Sequence, residues 1–203
     1  MSKNIFENAT QMWENNAKVL SSLKDIISKE EYEAVFDAIL NCKGKVVTFG
    51  MGTSSVAARK IAHMLCVANV PSFFASAGDC AHGAFGAVQK DDLVIVLSKG
   101  GNTEELVNLI DSIKFRGVKL ISVTQKPDSR LGKAADIVLK IDVEESDSQH
   151  MLPTASIITI IAIFDAIADE LRNYPQFSDE IFFYNHNHGA VGAMLKTELD
   201  EVK

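Results

Sequence analysis

Leu93-Val94-Ile95-Val96-Leu97-Ser98-Lys99-Gly100-Gly101-Asn102-Thr103-Glu104-Glu105-Leu106 is the stretch whose reading decides the fold. Its first five residues are apolar without a polar alternate, the pattern of a strand buried on both faces. A turn with two glycines and flanking hydroxyls follows, and then an amphipathic segment, TEELVNLIDSIKF (103–115). The same strand–turn–helix rhythm extends both ways along the chain. Upstream lie KVVTF (45–49), TSSVAARKIAHMLCVA (53–68) and PSFFA (71–75). Downstream lie KLISV (119–123), a short helical stretch from Ser129 to Ala135, DIVLK (136–140) and a long apolar helix near 153–172. Pro153 suits the first turn of that helix, where its missing N–H costs nothing. Apolar strands alternating with helices predict an α/β fold: a doubly wound, mostly parallel five-stranded sheet with helices on both faces. Residues 5–42 carry helical spacing of Ile5, Trp13, Val19, Leu20, Leu23, Val35, Phe36 and Ile39, so N-terminal helices precede the sheet. The expectation is a single domain over 1–203, with a helical segment at 1–42 and an α/β core and C-terminal tail at 43–203.

The bulk numbers exclude several classes. A chain of 203 residues with 47% hydrophobic and 23% charged residues has ample material for one core. A formal net charge of −7 argues against a broad nucleic-acid footprint. An anionic small molecule remains accessible, because helix N-terminal N–H groups act locally. Cys42, Cys66 and Cys80 form no C-x-x-C pair, so neither a disulfide framework nor a zinc ribbon follows. The N-terminus lacks an apolar core of signal-peptide type, and the apolar stretch from Met151 to Phe164 is too short to span a bilayer. A cytoplasmic protein with no membrane partner is expected.

In a doubly wound sheet the ligand crevice lies beyond the carboxyl ends of the strands. Two loops there carry hydroxyls. The first is Gly50-Met51-Gly52-Thr53-Ser54-Ser55. It is no Walker A loop, since no G-K-[ST] follows, and Val56 and Ala57 stand where a dinucleotide fingerprint needs its third glycine. The second is Ser98 to Glu105, and the two could converge on one phosphate. A plainer reading makes Asn102 an N-cap with Glu105 at N3, a capping box. The helix after Pro153 reads as a buried core helix, or as one covered by a second subunit.

With these residues in view, the stretches GMGTSS, HGAFG, SKGGNTEEL, the VT-QKPDS turn, AADIVL and LPTAS resemble the sugar isomerase (SIS) domain. Most closely they resemble the arabinose-5-phosphate isomerases, over about residues 42–196 and without the tandem CBS pair that often follows. The resemblance implies a sugar-phosphate site with no cofactor. Ser54, Ser98 and Thr103 match hydroxyls that hold the phosphate, with Gly52, Thr53, Gly100 and Gly101 in the same loops and His82 at a further family position. It also implies catalytic Glu105, Glu145 and His186. Two departures stand out: Thr53 replaces a lysine, and Gly100 replaces the second loop serine. A homodimer or homotetramer is implied as well, with His186 placed to enter a neighbour's site.

Aldose–ketose isomerisation needs a ring-opening acid–base group and a carboxylate or imidazole beside the C1–C2 unit. A glutamate shuttling the proton and His186 opening the ring would meet both needs. Duller readings accompany each residue: Glu145 sits in the acidic run Asp142–Asp147, a solvated loop in isolation, and His82 could simply fix its loop. His63 reads as structural. His186 and His188 show no third ligand, so no metal is expected. The alternative to an isomerase is a non-catalytic module that senses a sugar phosphate in the same pocket.

Overall fold

The structure is a computed structural model that describes residues 4–201. Two N-terminal helices, α1 (Ile5–Ile26) and α2 (Lys29–Leu40), lead into an alternating series. It runs β1 (Val46–Gly50), α3 (Thr53–Val67), β2 (Ser72–Phe74), α4 (Ala77–Ala81), β3 (Leu93–Leu97), α5 (Glu104–Val107), α6 (Ile110–Arg116), β4 (Lys119–Thr124), α7 (Arg130–Ala134) and β5 (Ile137–Lys140). The chain closes with α8 (Ala155–Glu170), α9 (Asp179–Asn185) and α10 (Gly189–Glu201). All four strand pairings are parallel, in the order β2-β1-β3-β4-β5. This is the doubly wound α/β architecture the sequence predicts. The order reverses between β1 and β3, so the ligand crevice of such a sheet falls between the loops that follow those two strands.

Residue parity divides the core. Val46, Leu93, Ile95, Leu97, Ile121, Val123 and Leu139 face one side and pack with α2, α3 and α8. Val47, Phe49, Val94, Val96 and Leu120 face the other and meet α4 to α7. Every residue of β3 is buried, which is why its sequence shows no polar alternate. At the amino end of β3, Asp92 accepts from the Lys45 amide at 2.9 Å, the Lys45 ammonium at 2.8 Å and the Gln89 amide at 2.7 Å. Burial pushes the Asp92 carboxyl up, but these bonds outweigh it and hold the pKa below the ordinary value.

Two local expectations are corrected. The segment 103–115 is not one helix: the Leu109 amide bonds the Leu106 carbonyl, a tight i+3 turn between α5 and α6. That break lets Leu106, Val107, Leu109 and Ile113 all reach the core. Pro153 is not in the first turn of α8; it precedes Thr154, the N-cap. Most of α8 is buried, as its apolar circumference suggests, whereas α1 has no buried residue and leaves Phe6 and Trp13 exposed. Among the described residues, no helix is long and apolar enough to cross a membrane.

Candidate functional site

The first loop turns at Gly52, whose φ of 54° lies in the left-handed region glycine tolerates. Gly52 is also the N-cap of the 15-residue α3, and no side chain caps that helix. The Ser54 and Ser55 amides donate to the Met51 and Gly52 carbonyls at 3.1 and 3.0 Å, which tightens the first turn, and the positive end of the helix dipole faces the crevice. Thr53 is exposed and Ser54 half-buried at this end.

The second loop is built around a buried hydroxyl. Ser98 Oγ lies 3.0 Å from Thr103 Oγ1 and accepts from the Gly101 amide at 3.1 Å. Gly101 has φ 66°, and a β-carbon there would collide with the Ser129 hydroxyl, so glycine is required twice over. Gly100 is the opposite case: a β-carbon would meet nothing within 4 Å. The capping-box reading fails here. Thr103, not Asn102, is the N-cap of α5, and Asn102 instead accepts from the Arg130 amide at 3.0 Å. Glu105 is exposed and makes no hydrogen bond among the described residues.

Glu145 overturns the solvated-loop reading of its acidic run. The chain keeps strand-like parity past β5, so Ile141, Val143 and Glu145 are buried while Asp142 and Glu144 are exposed. Only 3% of Glu145 is accessible. One carboxylate oxygen accepts from the Lys99 ammonium at 2.5 Å and from the Ser156 hydroxyl at 2.5 Å. The other accepts from the Thr154 and Ser156 amides at 2.9 and 3.1 Å, capping α8. Burial pushes this carboxyl up, but the bonds from Lys99 and Ser156 and the charge of Lys99 prevail and hold it below the usual 4.5.

Lys99 is the residue that motif reading passes over. Its parity signals it, since 93, 95 and 97 all face the α3 and α8 side and 99 continues the series. With Ser54, Thr124, Gln125 and Ser156 it lines a cleft of about 50 Å³ between the N-termini of α3 and α8. A larger concavity, about 580 Å³, lies at the amino ends of β3 to β5 beside Lys43, Asp91 and Lys119. We place the site at the smaller cleft, because one residue of each loop, Ser54 and Lys99, lines it beside the sheet's switch point.

His186 is not brought to this cleft within one chain. Asn185 donates to the Cys66 carbonyl at the far end of α3, and His186 stacks on Phe182 with centroids 5.9 Å apart. A helix of 15 residues is about 22 Å long, so His186 lies roughly that far from Gly52. His82 is exposed just after α4, at the carboxyl side of β2. Among the described residues, no group of three or more His, Cys, Asp or Glu side chains is gathered to hold a metal ion.

The sequence profile of the SIS domain matches residues 39–169. The chain belongs to the SIS-domain family. Arabinose 5-phosphate isomerase KdsD of Pseudomonas aeruginosa is 36% identical to this SIS protein over 174 residues, covering 85% of the chain and 53% of the relative. The chain thus spans about half the length of the curated relatives it matches. Among solved structures, a candidate sugar-phosphate isomerase from Listeria monocytogenes superposes with a TM-score of 0.89 at 40% identity, covering 93% of this SIS chain and all of the other. An Escherichia coli CFT073 protein in complex with arabinose 5-phosphate superposes with a TM-score of 0.85 at 30% identity, covering 92% and 99%.

Proposed function

We propose that this SIS protein is a sugar-phosphate aldose–ketose isomerase acting on a substrate of the arabinose 5-phosphate class. The observation that carries the reading is that Ser54 of the first loop and Lys99 of the second line one cleft beside the N-terminus of α3, at the β1/β3 switch point. The relatives named above support the substrate class.

In this reading the phosphate sits at the positive end of the α3 dipole and takes its donors from the hydroxyls of Ser54, Ser98 and Thr103. His82 meets the sugar from the β2 side. Glu145, with both oxygens already engaged, has little capacity left to accept a carbon-bound proton and acts by positioning. Glu105 is the unengaged carboxylate. It takes the proton from C2 while O1 gains one, and the enediol then collapses with the proton delivered to C1 and O2 becoming the carbonyl. His186, whose imidazole can both give and take a proton, opens the ring.

That last role needs a second copy of the chain. His186 is some 22 Å from the loop it would serve in its own chain. A cleft of about 50 Å³ is also far short of the several hundred Å³ of an ordinary ligand pocket. The neighbour supplies both a wall and the histidine, and the exposed Phe6 and Trp13 of α1 are apolar surface available to a homo-oligomer.

A second reading, a binding module without turnover, is favoured by one observation: the full engagement of Glu145. An isomerase assay across pentose and hexose phosphates, run beside thermal shift, separates the two. Turnover of at least one compound, lost in Glu105→Gln, supports the enzyme. Stabilisation without turnover by every compound supports the module, and no stabilisation by any compound sinks both.

A further inference from the structure

We propose that Lys99 is the ligand-contacting cation of the cleft, exchanging its bond to Glu145 for one to the ligand's phosphate on binding. This rests on the sugar-phosphate reading above and adds to it a residue and a mechanism of capture. The chain carries a net charge of −7, so an anionic ligand needs a local positive charge. Lys99 is the basic residue lining the cleft, which it shares with Ser54 of the first turn of α3. Arg130 and Lys140, also near the carboxyl ends of the strands, are paired with the exposed Glu104 and Asp142.

The pair is asymmetric in a way that permits exchange. The Lys99 side chain is 44% accessible and that of Glu145 only 2%. An ammonium has three donors, and Lys99 uses one on Glu145, leaving two for a ligand. When Lys99 departs, Glu145 is not orphaned, because the Ser156 hydroxyl and the amides of Thr154 and Ser156 still satisfy it. Gly100, next in the chain, has open space around it and does not obstruct the movement. At the other end of the sheet the Lys45–Asp92 pair differs, since the Lys45 backbone amide is also bonded to Asp92 and fixes the residue.

The test is calorimetric titration of inorganic phosphate and of arabinose 5-phosphate into the full chain, as wild type, Lys99→Met, Lys99→Arg and Glu145→Gln. Loss of one charge-assisted contact predicts affinity about 10- to 100-fold weaker in Lys99→Met, with Lys99→Arg in between. Glu145→Gln removes the competing carboxylate and binds phosphate more tightly than wild type, an outcome that a merely structural lysine would not produce. Where Glu145→Gln does not fold, the Lys99 series decides, each variant checked by circular dichroism. Wild-type affinity in a folded Lys99→Met overturns the proposal and leaves the functional reading standing. Absence of binding by the wild type to either compound overturns the functional reading and this proposal with it.

Discussion

Replacing Glu145 by glutamine tests the clamp at the N-terminus of α8. The amide is nearly isosteric, so its oxygen can keep the Thr154 and Ser156 amides, now as neutral rather than charge-assisted bonds. Charge-assisted bonds are roughly twice as strong as neutral ones, so each of the two weakens by about 0.5–1 kcal/mol. The amide nitrogen then faces the Lys99 ammonium, donor against donor. Because Lys99 is 44% accessible it rehydrates, and loss of that pair adds no more than about 1 kcal/mol. Together these give about 1–3 kcal/mol, or roughly 2–12 °C in Tm for a chain of this length. The gap is also pH-dependent. The Glu145 pKa is depressed in the folded state, so its contribution is complete above the ordinary value of 4.5 and is lost as pH falls through the folded value. Differential scanning calorimetry at pH 7 and again below pH 4 follows both effects, with Glu105→Gln as an exposed control shifting by less than about 0.5 kcal/mol. A Tm for Glu145→Gln within a degree of wild type at pH 7, or a gap that widens in acid, would refute the clamp.

The loop glycines give a paired prediction. Gly101→Ala forces a β-carbon against Ser129 at positive φ and costs about 1–3 kcal/mol by thermal denaturation. Gly100→Ser enters open space, leaves stability within about 0.5 kcal/mol, and adds a loop hydroxyl that tightens phosphate binding in titration. His186→Ala abolishes turnover without altering the melting profile. Mixing it with Glu105→Gln under conditions of subunit exchange restores part of the activity, because some sites then combine an intact Glu105 with a neighbour's intact His186. No recovery in the mixed oligomers contradicts the shared site.

The sheet was legible because it is buried on both faces: Leu93–Leu97 carries no polar alternate, and the strand bounds are recovered to within a residue or two. The two hydroxyl loops were legible for a related reason, since Gly50–Ser55 and Ser98–Thr103 follow strands whose ends could be counted. The capping box at Asn102 and Glu105 misled, because the Asn102 side chain is recruited by Arg130, 28 residues away, and local spacing carries no trace of that bond. Glu145 looked solvated within an acidic run, and only the parity of Leu139, Ile141 and Val143 marked it as inward-facing. Lys99 went unseen because its partner lies 46 positions along the chain. His186 was recognisable by resemblance, yet its position relative to the cleft depends on the packing of α9 against the far end of α3, which no motif encodes.

The central claim is isomerisation through an enediol in this cleft. Its most direct measurement is proton NMR of arabinose 5-phosphate incubated with the protein in D₂O. The account predicts conversion to the ketose with deuterium at the carbon that receives the transferred proton, and loss of both conversion and label in Glu105→Gln. An unchanged, unlabelled aldose that nevertheless binds the wild-type protein would contradict it.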